Sequence, residues 1–332
     1  MSATFALVPL ADSVTQLAGI FALGAVCSQG IAIGGHALIA RQYGAAAGPG
    51  LNGINAAFGA GSLLAPFLHT ALAPSMQSRG ATASYFALAA MLAAAAVPFA
   101  ASAFVRDTAP PRTTRADHSG TASPLAALGG RNGAALTCSV MGLVTCAVGA
   151  EAVWAVWLYT YASQGLQLPV AAAASCVSGF WAALTFGRLM GVAASTRLPP
   201  ATILRASLPL AVAGPGVALA IPGSPAALVA GAALAGLGLS CCFANAVALL
   251  ARHVAPTSST QALIQLAACS GGLVFAPLVG RLAGNGMLGA NAFLYVAGAC
   301  AVADLALLAV AEAMCARMAH TQKAARAAEQ QP

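Results

Sequence analysis

The chain has 332 residues, 60% of them hydrophobic and only 6% charged, with a formal net charge of +7. Water-soluble domains carry about 25% charged residues, so this composition excludes an ordinary soluble fold. Apolar runs of about 20 residues recur along the chain, and each is long enough to cross the hydrocarbon core of a bilayer. The basic residues stand singly between these runs, which fits membrane topology better than a nucleic-acid groove. The sequence therefore predicts an all-α, polytopic transmembrane helical bundle in a lipid bilayer, without a nucleic-acid partner.

Nine predicted spans follow a short apolar stretch at residues 3–11, which cannot cross a bilayer by itself. The spans lie at about 14–40, 49–72, 82–105, 132–162, 168–191, 202–221, 225–250, 259–282 and 288–314. A long polar segment with two adjacent prolines separates the third span from the fourth, which is typical of a linker. The predicted parts are the N-terminal bundle at 1–105, a cytoplasmic linker at 106–131, a six-helix C-terminal bundle at 132–315 and a cytoplasmic tail at 316–332.

The positive charges predict the orientation. When the loops are assigned alternately to the two sides of the membrane, twelve of the fourteen Lys and Arg residues fall on one side. Only Arg79 and Arg281 fall on the other side. Because positive loops stay in the cytoplasm, we expect the linker and the tail to be cytoplasmic. A miscounted span would destroy this alternation, so the asymmetry favours nine spans. We expect the plasma membrane rather than an organelle.

Neither the cysteines nor any short motif indicates an enzyme. Nine cysteines are scattered through the chain, and none has the spacing of metal ligands. We expect most of them to pack as small buried hydrophobic residues. The sequence contains no Walker loop, zinc pattern or Ser-His-Asp set in a fitting context. We therefore expect a protein that is not an enzyme and that uses no cofactor or metal.

Two acids lie near the middle of predicted spans, Glu151 in the fourth and Asp304 in the last. An ionised carboxylate at the bilayer centre costs about 2.5–3.5 kcal/mol on insertion scales, so each must face the interior, pair with another group or stay protonated. The functional hypothesis for Glu151 is that it accepts a hydrogen bond from a substrate hydroxyl or holds a coupling ion. The structural alternative is a hydrogen bond to a neighbouring helix. We expect Asp304 to turn inward towards a neighbouring helix.

Trp154, Trp157 and Tyr161 follow Glu151 at helical spacings of three and four, which places their rings on one stripe of the helix. Sugars present CH faces that lie against aromatic rings and hydroxyl groups that bind an acid. An aromatic stripe beside Glu151 therefore suits a sugar. The alternative is that these rings pack between helices or anchor the helix at the membrane interface. Trp181 lies on a mildly polar stripe of the next span.

Several uncharged polar residues inside the spans would lose hydrogen bonds if they faced lipid, so we expect them to face the interior. Asn245 and Gln265 are candidates for the lining of a substrate path. His36, Asn52 and Asn55 lie at similar depth on adjacent spans, where they could form a polar cluster. The alternative for these three is ordinary hydrogen bonding from helix to helix.

Seven short motifs together resemble one branch of a known family. They are LNGINAAFGAGSLLAP at 51–66, VGAE at 148–151, WLYTYA at 157–162, FW at 180–181, GRLMG at 187–191, GLGLS at 236–240 and PLVGRL at 277–282. The combination resembles the major facilitator superfamily, in the branch that holds sodium-dependent glucose transporters and bacterial fucose permeases. Six spans after a long basic cytoplasmic linker are also the layout of the C-terminal half of such a transporter.

On this resemblance the nine spans are helices four to twelve, a truncated major facilitator fold of three plus six helices, and residues 3–11 end helix three. The absent helices imply a truncated product or gene model, or a partner that supplies the rest; we expect truncation. The family usually carries an Asp and then an Asn in helix four and a His in helix five. Here these positions are Ala32, His36 and Asn55, which puts ion coupling through helix four in doubt. Arg188, in GRLMG, resembles a loop-signature residue and implies a gating or helix-end contact on the cytoplasmic side.

The resemblance implies a secondary active or facilitative transporter of a small polar solute, a hexose-like sugar, that works by alternating access. The coupling ion would be Na⁺ or H⁺, or there would be none. The alternative function is that of a truncated, non-transporting membrane protein that regulates or pairs with a full-length transporter. The sequence leaves the oligomeric state open.

Overall fold

The computed structural model describes residues 1–72, 80–104, 130–286 and 288–329. In this part of the chain every regular element is a helix, which confirms the predicted all-α class. The α-helices are α1 (Ser2–Leu7), α2 (Val14–Tyr43), α3 (Gly48–Leu72), α4 (Gly80–Phe104), α5 (Gly130–Thr160), α6 (Val170–Ser195), α7 (Pro200–Ala220), α8 (Pro225–Ser240), α9 (Cys242–Ala251), α10 (Ser258–Gly284) and α11 (Ala292–Glu329).

Capping residues in the turns begin two of these helices. Ser224 precedes α8, and its hydroxyl oxygen accepts a hydrogen bond of 3.3 Å from the amide of Ala227. Pro225 occupies the first helical position, where no intrahelical donor is needed. Thr257 caps α10 in the same way through the amide of Thr260, at 3.1 Å. The turns that contain Ser224 and Thr257 thus fix where α8 and α10 begin.

A helix occupies each of the nine predicted spans in the described residues, with α8 and α9 sharing one span because the helix breaks at Cys241. Seven of these spans are long and apolar enough to cross a membrane, judged by length and composition. Within α4, Thr82–Pro98 forms a shorter apolar helix. The chain is therefore an integral, multi-pass membrane protein, and the crossings by α3 and α4 stay a prediction.

The chain divides into two compact units, Met1–Gly35 with Ser62–Thr121, and His36–Gly61 with Ala122–Pro332. In this division residues 36–61 group with the C-terminal helices, and the predicted domain boundaries at residues 105 and 131 stay a prediction. The physical reason is burial, because Ala47 and Leu51 lie in the same apolar cluster as Val247. Most of the predicted linker lies outside the described residues.

In the first unit, α1 packs against α4. The Ser2 hydroxyl donates a 2.6 Å hydrogen bond to the carbonyl of Ala89, and the rings of Phe5 and Tyr85 lie 6.4 Å apart. Residues of α1 and α2 line a cavity of about 250 Å³ whose walls are mostly apolar.

In the second unit, α5 packs against α10 and α11, and α7 packs against α8 and α11. Small residues stand where these helices cross. Gly271 of α10 lies against the backbone of Thr145 and Gly149 on α5, and Gly214 of α7 faces Gly231 of α8. In lipid, helices associate through close van der Waals packing, and small residues permit the necessary approach of the backbones. These crossings set the positions of the polar side chains described below.

We expect Gly271→Ala to destabilise the protein, because the added methyl group would overlap the carbonyl oxygen of Thr145. Overpacking of this kind costs about 1–3 kcal/mol. The neighbouring Gly272→Ala is the matched control, since its added carbon would meet only the side chain of Ala152 at an ordinary 3.6 Å. Thermal unfolding of both purified variants in detergent tests this expectation. Equal Tm values would contradict the close crossing of α5 and α10.

Candidate functional site

Glu151 on α5 and Arg188 on α6 form an ion pair within the second unit. The Arg188 Nη2 atom donates to both carboxylate oxygens of Glu151, at 3.0 and 3.1 Å. The exposed fraction is 6% for the Arg188 side chain and 18% for that of Glu151. Each group neutralises the other, which is the condition under which charges persist inside an apolar bundle.

The rest of the Arg188 guanidinium has a less complete set of partners. Its central carbon lies 5.4 Å from the ring centroid of Phe58 on α3, a cation–π distance. The Nε and Nη1 atoms are buried and find no hydrogen-bond acceptor in the described part of the chain. The site therefore holds two donor groups that the described residues leave without an acceptor.

Arg188 lies deeper in the helix than the sequence indicated. The predicted span ended at residue 191, whereas α6 continues to Ser195, so Arg188 lies about two turns inside the helix. Two glycines flank it on the face towards α8 and α9. Gly187 packs on Leu237 and Ser240. A Cβ atom at Gly191 would lie only 2.5 Å from the Cys241 sulfur, so this position has no room for a side chain. The gating role of Arg188 stays a prediction.

A second polar contact joins α9 to α3. The Asn245 side-chain amide donates to the Cys241 carbonyl at 2.9 Å and to the Asn52 side-chain oxygen at 3.4 Å, and Asn245 is fully buried. Its own side-chain oxygen has no donor among the residues described. Asn55 donates within α3 to the Leu51 carbonyl at 2.8 Å. His36 is buried and packs edge-on against Phe243, with 5.2 Å between ring centroids. Among the predicted polar residues, Asn52 and Asn245 are thus in contact with each other.

The predicted aromatic stripe separates into different environments. Trp154 is fully buried and lies between Phe180, stacked at 6.0 Å, and Phe293, edge-on at 5.2 Å. This environment corresponds to the alternative in which the ring of Trp154 packs between helices. Trp181 is half-buried and meets Phe180 edge-on at 5.7 Å. Gln265 is also half-buried.

Trp157 and Tyr161 line a cavity of about 220 Å³ near the C-terminal end of α5. Their polar atoms are already bound, since the Trp157 indole donates to the Ala276 carbonyl at 2.9 Å and the Tyr161 hydroxyl meets the Asn291 side-chain oxygen at 3.0 Å. Trp157 lies six residues beyond Glu151, about 9 Å along the axis and on another face of the helix. The cavity is therefore separate from the ion pair.

Neither the ion pair of Glu151 with Arg188 nor the contact of Phe58 with Arg188 was predicted from the sequence. A signal for the ion pair was present, because two lone charges of opposite sign occur in consecutive apolar spans. Oppositely charged groups inside a membrane usually pair with each other. No comparable signal marked Phe58, which is one aromatic residue among many apolar ones.

The apolar helices and the ion pair held between two of them define a multi-pass helical membrane protein with a polar interior site. The profile of the Major Facilitator Superfamily matches residues 1–274. The chain belongs to this superfamily. The resemblance inferred from the motifs is confirmed at this level, and the predicted truncation stays a prediction.

Two solved structures share the fold. One is FucP, a Major Facilitator Superfamily transporter in the outward conformation, with a TM-score of 0.70 and 18% identity over 94% of this chain and 79% of that chain. The other is a single-site variant of the E. coli fucose:proton symporter FucP, with a TM-score of 0.69 and 16% identity over 94% and 80% of the two chains. Identities this low define the fold alone. No curated protein sequence matches the chain.

We expect Glu151→Gln or Arg188→Gln alone to destabilise the protein by about 3–5 kcal/mol, because each leaves the other charge buried without a partner. The double variant is expected to recover part of this loss, since it leaves no unpaired charge. A double-mutant cycle of thermal unfolding in detergent measures the coupling. Glu312→Gln is the control, because Glu312 pairs with the largely exposed Arg205 and such pairs contribute little. Additive single effects would contradict the ion pair.

The two tryptophans are expected to respond differently to truncation. Trp154→Ala opens a cavity in a packed core and costs about 3–5 kcal/mol. Trp157→Phe keeps a ring at the cavity and removes one hydrogen bond, worth about 0.5–1.5 kcal/mol. Thermal unfolding of both variants tests the assignment. A larger loss for Trp157→Phe would show that Trp154 is not the packing residue.

Proposed function

We propose that the protein transports a small polar solute, a hexose-like sugar, across the membrane by alternating access. The observation that carries this proposal is the Glu151–Arg188 pair, which places a strong acceptor and a strong donor inside spanning helices. Charged groups in membrane spans are costly and commonly mark the path of a solute or ion. The partial exposure of Glu151 leaves its carboxylate within reach of a solute.

The hydrogen-bond donors and acceptors of the Glu151–Arg188 pair favour a neutral solute. The Nε and Nη1 atoms of Arg188 have no acceptor among the described residues, while Nη2 holds Glu151. A hydroxyl group can accept from the guanidinium and donate to the carboxylate, so a sugar can bind without separating the pair. An anion would instead compete with Glu151 for Arg188. The ring of Phe58 beside the guanidinium offers an apolar surface to the CH face of a sugar.

The likeness to FucP supports a sugar as the solute, since that protein is described as a fucose:proton symporter. On the same basis we prefer H⁺ to Na⁺ as the coupling ion. We further propose that Arg188 contributes to gating, because separation of the pair would accompany opening of the site. The other predicted substrate-binding residues stay candidates: His36, Asn55, Trp154, Trp157, Tyr161, Trp181, Asn245 and Gln265.

Uptake of radiolabelled fucose, glucose and galactose into proteoliposomes tests the proposal. We expect the wild-type protein to transport at least one of the three sugars. Glu151→Gln should reduce that uptake about 10- to 100-fold, the effect of losing a hydrogen bond to a charged group worth about 1.5–3 kcal/mol. Glu312→Gln is the matched control, because it neutralises an acid that pairs with Arg205 elsewhere in the same unit.

The outcomes separate the alternatives. Uptake of all three sugars at the level of empty vesicles would contradict transport of a hexose and would favour the non-transporting alternative. Normal uptake by a folded Glu151→Gln protein would remove Glu151 from the mechanism. Equal losses in Glu151→Gln and Glu312→Gln would indicate a general effect of charge and not a solute contact.

A further inference from the structure

Asp304 lies midway along the last spanning helix and has an exposed fraction of 0%. It shares the buried face of α11 with apolar neighbours one turn away, Cys300 and Leu308. Neither of its carboxyl oxygens has a hydrogen-bond partner in the part of the chain that the structure describes. A carboxyl group has therefore been placed in the core without any contact that would offset its burial.

The groups around Asp304 are weakly polar. The thiols of Cys146 on α5, Cys242 on α9 and Cys300 on α11 lie within electrostatic range of it. On α7, the hydroxyl group of Ser207 interacts with the Cys242 thiol. None of the basic residues in the described ranges forms an ion pair with Asp304. Among the described residues, neither an ion pair nor a hydrogen bond compensates a negative charge on Asp304.

In the other two acids of the C-terminal spans, an arginine compensates the negative charge. Glu151 pairs with Arg188 at 3.0 Å, and Glu312 pairs with Arg205 at 2.7 Å. A carboxylate beside an arginine is stabilised in its charged form. A buried carboxyl group with neither a cation nor a donor is stable only when it carries a proton. Asp304 is thus the acid in these spans whose surroundings suit the neutral form.

We propose that Asp304 holds a proton in this conformation and is the site where the coupling proton binds and leaves during transport. This rests on the proposed transport function. When a conformational change admits water, the O–H bond breaks, its electron pair stays on the carboxylate and the proton passes to a water molecule. An apolar residue of similar size would fill the position at lower cost, so a purely structural role does not account for an acid here.

The position of Asp304 also allows communication with the solute site. The Cys242 thiol interacts electrostatically with both Asp304 and Glu151, so one residue connects the two acids inside the unit. Charges interact strongly in surroundings of low dielectric constant. Loss of the proton from Asp304 would add a negative charge to the interior of the unit that also holds the Glu151–Arg188 pair. The solute would then bind at the Glu151–Arg188 pair and the proton at Asp304, and the occupancy of one site would affect the other.

An infrared measurement tests the protonation without any sugar. At pH 7 exposed carboxyl groups are ionised, so a remaining carbonyl stretch of a protonated carboxyl reports a buried acid. We expect this band in the purified wild-type protein and in Glu312→Gln, and its loss in Asp304→Asn. The same band in Asp304→Asn, or its absence in the wild type, would overturn the proposal.

A transport measurement tests the coupling. A gradient of one pH unit can support about tenfold accumulation of a solute that moves with one proton. We expect wild-type and Glu312→Gln proteoliposomes to approach this ratio with radiolabelled fucose, glucose or galactose. Asp304→Asn imitates the protonated form, so it should keep counterflow of the same sugar and reach no accumulation. Accumulation by Asp304→Asn as in the wild type would overturn the coupling role, and so would loss of counterflow in the folded variant.

The two measurements distinguish this proposal from the proposed function. If the wild-type protein transports none of the sugars but shows the infrared band that Asp304→Asn removes, the transport function and the coupling role fail together, and the protonated acid stands. If the wild-type protein transports a sugar without response to the pH gradient, the transport function stands and the coupling role fails.

Discussion

The interior of this protein depends on the mutual neutralisation of Glu151 and Arg188. Either charge alone would be strongly unfavourable between apolar helices, and the two together form a pair at 3.0 Å. The pair fixes α6 against α5 at one depth and places the Arg188 guanidinium beside Phe58 of α3. A polar site can therefore exist inside the bundle only where these helices keep their relative positions. The spare donors of Arg188 are a consequence of the same arrangement.

Small residues make this arrangement possible. Gly187 and Gly191 flank Arg188 and let α6 approach α8 and α9 closely, and Gly271 does the same for α10 and α5. In a bilayer, water does not drive the helices together, so close backbone contact and buried polar contacts provide most of the attraction. The contact of Asn52 with Asn245 is such a polar contact, and it lies beside Gly191. Gly191 thus lies both at a close packing contact and beside a buried polar contact.

The acids of the C-terminal spans occupy three different electrostatic environments. Glu312 meets an exposed arginine, Glu151 meets a buried one, and Asp304 meets none in the described chain. The free energy of a carboxylate in a membrane protein is set by such neighbours more than by depth alone. The same carboxyl group therefore serves as a surface contact in Glu312, an interior ion pair in Glu151 and a buried group without an ion-pair partner in Asp304, all within a single helical unit.

Composition and the lengths of the apolar runs were sufficient to predict the helical class and the positions of the helices, because a bilayer demands long apolar helices and leaves a strong pattern in the sequence. The superfamily was inferred separately, from the resemblance of seven short motifs. They could not predict which helix each polar residue meets. Helical spacing placed Trp154 and Trp157 on one stripe, yet Trp154 packs against Phe180 of α6 and Phe293 of α11, while Trp157 turns to α10. Neighbouring positions on a stripe can face different helices, because each helix of a bundle has several neighbours.

The tertiary structure alone decided the pairing within the site. Glu151 and Arg188 lie at different distances from the ends of their own helices. Their positions along the two spans therefore did not identify them as partners. The Arg188 side chain reaches from α6 to the Glu151 carboxylate on α5 and brings the two groups to 3.0 Å. Likewise, only packing decided that residues 36–61 belong with the C-terminal helices. Local sequence determines which segments are helices, whereas the contacts between helices depend on how all their surfaces fit at once.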